Sequence, residues 1–334
     1  MSQQPDLKGV ENISIISVEV FFVLSGFVLA PQIIFCMRKN QAANLKVFFL
    51  RRWIRTLPPF IFALIGISAI SANLFTGEFF KYLFFVRNVF SISNIGDYYA
   101  PAWSLAVEEW FYIVFPVFLL LTKKRRLSIL AQTLLFVAIL LLIKLVVAAV
   151  GGNAMMHARR VVLFRIDSIA FGFLLYFIFE DVSVGGYSWL RMGAPAIFLG
   201  SAVALFQILN STSSGHSAVL ELAFFYIAPL LGMSLILTAC SLEKSLVKST
   251  IIKGAADFFG KISYTVYLFH VAFITLISRR LSHESGMVRF TVFLAALLIF
   301  CYLFHIYVEA PLLSARPRYR KEMDSKGPAL PSLA

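Results

Sequence analysis

Charged side chains are scarce in this sequence: they make up 14% of its 334 residues, where a soluble domain carries about a quarter. With 60% hydrophobic residues, 35 Phe and a mean hydropathy of +0.84, that shortage excludes an ordinary water-soluble fold, because most of the surface has to face something other than water. Cysteine is scarcer still. Cys36, Cys240 and Cys301 lie far apart in or beside apolar segments, with no CxxC and no nearby His pair, so they form no disulfide framework and no metal site is indicated. There is no GxSxG elbow to suggest a covalent serine intermediate, and no internal repeat of the kind transporters tend to carry. The first twelve residues, MSQQPDLKGVEN, are a polar leader without a basic n-region and cleavage site, so no removable signal peptide is visible.

What the chain has is long hydrophobic runs. A bilayer core of about 30 Å needs around 20 apolar residues per helix, and nine stretches qualify: 13–35, 56–75, 103–122, 127–150, 161–179, 193–209, 218–240, 262–278 and 288–308. The expected fold is therefore an all-α, polytopic transmembrane helix bundle of about nine spans in residues 13–313, followed by a basic tail over 314–334. A shorter run at 79–90, FFKYLFFVRNVF, is too brief and too charged to span and reads as interfacial or re-entrant.

The net charge of +13 does not indicate nucleic acid, since Lys and Arg sit between apolar runs and form no stripe along a soluble element. They follow the positive-inside rule instead. Most fall in alternate loops, around Arg38 and Lys39, Lys123 to Arg126, Arg191, Lys244 to Lys261, and Arg316 to Lys326. That side should be the cytoplasm, with the C-terminus on it and, for nine spans, the N-terminus outside.

Ionisable groups at membrane depth cost roughly 2.5–3.5 kcal/mol on insertion scales, so each is paired, interfacial or functional. Glu19 lies inside SVEVFFVLSGFVLA, ahead of the Ser25-Gly26 pair that lets another backbone approach; it reads equally as an interfacial anchor or a functional carboxylate. In FFLRRWIRTLPPF, Arg51, Arg52 and Arg55 recur at helical spacing on one face, while Pro58 and Pro59 should interrupt the helix as it enters lipid. A one-sided guanidinium cluster suits phosphate, although a topological anchor or a lipid-headgroup site explains it too. Glu108 and Glu109 open a helix beside Trp103, Trp110 and Tyr112; the helix dipole and the interfacial aromatic belt account for much of this, but not for two adjacent acids. Arg165 and Asp167 read as a structural ion pair or as contacts to neighbouring helices. His270 and His305 lie at membrane depth, whereas His157, His216 and His283 fall in loops.

Taken in order, SVEVFFVLSGF, FFLRRWIRTLPP, WSLAVEEWFY, FRIDSIAFG, GKISYTVYLFH and the closing VEAPL resemble the acyltransferase-3 family of integral membrane acyltransferases, from about residue 17 to 313. The resemblance implies transfer of an acyl group, commonly acetyl from acetyl-CoA, to a hydroxyl of polysaccharide, lipopolysaccharide, peptidoglycan or another glycosylated acceptor. It also implies an enzyme seated among lipid in a bacterial inner membrane. It assigns Arg52 and Arg55, with Arg51 beside them, to the acyl-CoA entrance, and it points to Glu108 and to His270 at the end of the SYxxYLxH segment. Glu19 joins Glu108 as a candidate for orienting the base or acceptor, and no metal is implied. The family's first helix carries an Arg and a His that have no counterpart here, so one further helix ahead of residue 13 is expected, or else a degenerate copy. Within the chain itself, His270 or a glutamate would then be the base. A transporter or flippase with polar helices and no chemistry is the rival from another class, and a catalytically silent remnant is the third.

Overall fold

The structure is a computed structural model that describes residues 6–38, 41–90, 97–123, 127–150, 160–183, 188–211, 218–246, 249–317 and 319. Lys39, Lys124, Arg125, Arg126, Lys248, Arg318, Arg320, Lys321, Lys326, His157 and His216 lie outside the described residues. Every regular element described is helical, as required where a backbone crosses lipid without water to bond it. In chain order these are α1 Asp6–Arg38, α2 Gln41–Ile70, α3 Gly77–Leu83, α4 Ala102–Thr122, α5 Ile129–Val150, α6 Val162–Ser183, α7 Ser188–Ser211, α8 Ala218–Leu246, α9 Thr250–Arg280 and α10 Gly286–Phe304; a π-helical turn, His305–Glu309, then leads into α11, Ala310–Ser314. Nine helices among the described residues are long and apolar enough to span, so the chain is a polytopic helical membrane protein.

Several boundaries differ from the sequence expectation, those of α1 and α2 among them. The backbone of α1 is already helical at Asp6, inside the stretch read as a leader. α2 begins at Gln41, fifteen residues before the expected span, because the arginines lower local hydropathy without disfavouring a helix. Pro58 and Pro59 do not interrupt it. They remove the N–H donors for the carbonyls of Ile54 and Arg55, and the helix continues past them. α3 is the short run expected not to span: Thr76 caps it, its hydroxyl accepting from the Phe79 N–H at 3.3 Å.

α1 is central, and its tightest partner is α6. A Cβ placed on Gly26 would fall 1.8 Å from the carbonyl oxygen of Ile169, and one on Gly172 would fall 1.9 Å from that of Val23, so both crossing points admit only glycine. Around this crossing one apolar core joins α1, α4, α5 and α6 with the start of α2. A second core joins the far half of α2 with α3, the start of α4, α9 and α10.

Two buried ion pairs brace the first lobe. Arg165 on α6 pairs with Glu19 on α1, and Lys144 on α5 donates to Asp167 at 2.5 Å; all four side chains are at most 2% exposed. The Arg165–Asp167 pairing read from sequence is therefore not formed, because residues two apart on a helix point to different sides. Phe224 and Phe225 on α8 present ring faces to the Arg165 guanidinium at 5.5 and 5.1 Å, and Phe225 also faces the Lys144 ammonium at 4.6 Å.

At the end of the bundle where α3 lies, the connection from α3 to α4 is tied down by polar contacts. Arg87 bonds Glu78 at 3.0 Å, Arg160 reaches Asp97 at 3.4 Å, and the Tyr82 hydroxyl donates to Asp97 at 2.6 Å. The hydrogen bond from Lys81, helped by Arg87, holds the Glu78 carboxyl below its usual range against the opposing effect of partial burial. At the opposite end, Arg51 donates to the Pro317 carbonyl at 2.7 Å and lies over the Tyr319 ring, which itself packs edge-on against Phe35. The start of the basic tail thus docks on α1 and α2.

Candidate active site

A cavity of about 470 Å³ opens at the seam between the two lobes, walled by α1, α2, α4 and α9. Four elements bring polar groups into it. α1 contributes Ser14, Ser17 and Ser25, with Phe21, Leu24 and Val28 between them at helical spacing. Those three apolar residues are exposed, so the α1 side of the cavity is not closed over by other described residues. α2 contributes Arg52, Arg55 and Thr56, α4 contributes Glu108 and Tyr112, and α9 contributes Tyr264, Tyr267 and His270.

Glu108 is buried, accepts from the Ser25 hydroxyl at 2.6 Å, and has Arg52 and Arg55 close enough to interact with its charge. Its neighbour Glu109 points elsewhere, since successive residues on a helix are about 100° apart. Glu109 accepts from Thr56 at 2.8 Å and from the Trp53 indole at 3.1 Å. Two adjacent acids therefore do two jobs: one faces the cavity and the other holds α4 to α2.

The arginine trio also divides. Arg52 and Arg55 line the cavity, whereas Arg51 is committed to Pro317 and Tyr319. Arg52 sits 5.9 Å from the Tyr112 ring centroid and 6.0 Å from that of Phe48, and its Nε is buried without a hydrogen-bond partner among the described residues. A guanidinium N–H held in this way is a donor prepared for an anion.

His270 is half-buried in the wall formed by α9. Its Nδ1 lies 2.6 Å from the Tyr267 carbonyl oxygen, which can only accept, so Nδ1 carries a proton and, in the neutral ring, Nε2 keeps its lone pair. The Tyr267 hydroxyl is within 2.6 Å of Ser104 Oγ and donates to the Pro101 carbonyl at 3.2 Å, fixing the start of α4 against α9. Tyr264 donates to the Thr56 carbonyl at 2.8 Å, beside the paired prolines of α2.

Of the six candidates from sequence, Arg52, Arg55, Glu108 and His270 converge on one cavity and Arg51 and Glu19 do not. Glu19 is displaced from that reading because it is the counter-ion of Arg165, on the face of α1 turned toward α6. Tyr264 and Tyr267 were not singled out, although they lie in the SYxxYLxH segment, three apart and with His270 three beyond Tyr267, a spacing that brings each near the next on a helix. Lys144 was missed as well; a lone lysine in ILLLIKLVV was the available signal that an acid must face it. Among the described residues no group of three or more His, Cys, Asp or Glu could hold a metal ion.

No solved structure matches the chain. Among curated proteins it is 35% identical over 126 residues to the peptidoglycan O-acetyltransferase OatA of Listeria monocytogenes, covering 33% of this chain and 20% of that protein. It is 25% identical over 322 residues to the O-acetyltransferase OatA of Staphylococcus aureus, covering 89% of this chain and 52% of the relative. The chain thus spans about half the length, or less, of these relatives. A family model described as an acyltransferase domain matches residues 1–306. With that match over most of its length, and with four of the six ordered motifs meeting in one cavity, the chain belongs to the acyltransferase-3 family.

Proposed function

We propose that the protein is a membrane O-acyltransferase that moves an acyl group, acetyl in the simplest case, from acyl-CoA to a hydroxyl of a cell-surface glycan. The supporting observation is the cavity that gathers a buried guanidinium N–H on Arg52 without a partner among the described residues, a second arginine, a buried carboxylate and an imidazole whose Nδ1 is bonded to the Tyr267 carbonyl. The residues present fit the donor substrate: Arg52 and Arg55 would hold its phosphates, and the apolar α1 wall would accept the pantetheine arm. Peptidoglycan is named for the Listeria relative and is the first acceptor to test.

In this reading His270 Nε2 takes the proton from the acceptor hydroxyl as its oxygen attacks the thioester carbonyl. The new C–O bond forms, the C–S bond breaks, and the proton passes from His270 to the departing thiolate. The Tyr267 carbonyl, bonded to Nδ1–H, keeps the ring in the reactive tautomer. Glu108, held by Ser25, keeps the two arginines oriented and offsets their mutual repulsion when no anion is bound. The donor would enter from the arginine end; the excess of Lys and Arg in alternate loops supports placing that end and the C-terminus on the cytoplasmic side, and a bacterial inner membrane is part of the same proposal.

The test is transfer of radiolabelled acetyl from acetyl-CoA to peptidoglycan by the full chain in nanodiscs, together with calorimetric binding of the donor. Arg52→Ala is expected to weaken donor binding by about tenfold or more, and His270→Gln to leave binding intact while lowering turnover by about a hundredfold or more. Unchanged turnover in His270→Gln removes the base assignment; a purified chain that ignores acetyl-CoA removes the enzymatic reading.

A further inference from the structure

A second chamber of about 200 Å³ adjoins the main cavity and shares Arg55 and Tyr264 with it as a common wall. It is closed on the far side by the π-helical turn, whose His305 and Glu309 face Lys261 of α9. A π-turn is an energetically poorer geometry than the α-helix it interrupts and recurs at functional sites. Here it brings His305 and Glu309 together, with Nδ1 to Oε2 at 2.8 Å, while the other oxygen of Glu309 accepts from Thr265 at 2.5 Å. Both carboxylate oxygens are thereby occupied within the wall. Neither Arg55 nor Lys261 has a carboxylate within ion-pair distance among the described residues. The chamber therefore presents two cations that form no salt bridge among the described residues and a histidine whose Nδ1 is engaged by Glu309, a set that suits a phosphate monoester.

We propose that this chamber holds the terminal phosphate of the donor, the 3′-phosphate on its ribose, while the pyrophosphate lies across Arg52 and Arg55. The assignment rests on the acyl-CoA reading above. Lys261 and His270 are nine residues apart on α9, about 13.5 Å along the helix axis at 1.5 Å per residue. A donor whose thioester reaches His270 extends past Arg55 toward Lys261, and its most distal charged group is the ribose phosphate. The shared wall makes Arg55 the bridging cation between the two phosphate positions.

The experiment compares binding of coenzyme A and 3′-dephospho-coenzyme A to the full chain in phosphatidylcholine nanodiscs. The wild type is expected to prefer coenzyme A by between about tenfold and a hundredfold, the range for a charge-assisted hydrogen-bonded contact. Lys261→Ala is expected to erase that preference, Lys261→Arg to keep it, and Arg52→Ala to weaken both ligands alike. Equal binding of the two ligands by the wild type, or a preference that survives in Lys261→Ala, overturns the subsite while leaving the acyltransferase reading in place. Binding of neither ligand overturns both. A parallel arm adds phosphatidylglycerol to the disc: Lys261-dependent retention of that lipid without discrimination between the nucleotides would assign the chamber to a headgroup and overturn the proposal.

Discussion

The Lys144–Asp167 pair lends itself to a quantitative prediction, because its worth depends on what is removed. At 2.5 Å, with side chains 0% and 1% exposed, the gross attraction is roughly 7 kcal/mol at an effective dielectric near 20. Several kcal/mol of desolvation per ion opposes it, so the pair as a whole contributes little net stability. Removing one partner is different: it leaves the other charge buried and unpaired. Lys144→Met alone and Asp167→Leu alone should each destabilise by about 3–5 kcal/mol. That corresponds to between a hundredfold and several-thousandfold in the unfolding equilibrium. The double variant should return to within about 2 kcal/mol of the wild type, because both desolvation penalties vanish together. The assay is a double-mutant cycle on SDS-induced unfolding in mixed micelles, with Glu19 and Arg165 left intact because Arg165 shares the Phe225 ring with Lys144 and would couple to the cycle. Donor binding measured on the double variant should be unchanged, as neither residue lines the cavity. If the two single losses simply add in the double variant, or if each falls below about 1 kcal/mol, the buried-pair reasoning is wrong.

Gly172→Ala should lower the melting temperature in nanodiscs and reduce donor binding as well. The new methyl, 1.9 Å from the Val23 carbonyl, forces α1 from α6 by more than an ångström at a cost of about 1–3 kcal/mol, and α1 carries the Ser25 hydroxyl that holds Glu108. A normal melting curve with normal binding would show that the two helices are not in such close contact. Acid should loosen the α3–α4 connection: Glu78 has a folded pKa below its ordinary 4.5, so its stabilisation is fully present above that value and is lost as pH falls through the depressed one. Its side chain is 27% exposed, so the effect should stay below about 1 kcal/mol. Hydrogen exchange over residues 77–90 should rise below pH 4.5 in the wild type, and Glu78→Gln should abolish that dependence; an acid response that persists in the variant would place its origin in another group.

The sequence by itself determined the class of fold, because a backbone in lipid has few solutions and long apolar runs advertise the helical one. It also determined which residue types demanded partners, since Glu19, Arg165 and Asp167 are costly wherever they sit in a span, and its resemblance to a family named Arg51, Arg52, Arg55, Glu19, Glu108 and His270 as candidates for one chemistry. What it left open was partnership. Whether Arg165 answers Asp167 or Glu19, and whether Arg51 faces a ligand or the Pro317 carbonyl, depends on segments 100 or more residues apart being laid side by side. Helical periodicity states which side chains share a face, and only tertiary packing decides what that face meets. For the same reason the chamber between His305 and Lys261 was invisible beforehand: its walls come from α2, α9 and a π-turn, and their cations converge only where those elements meet.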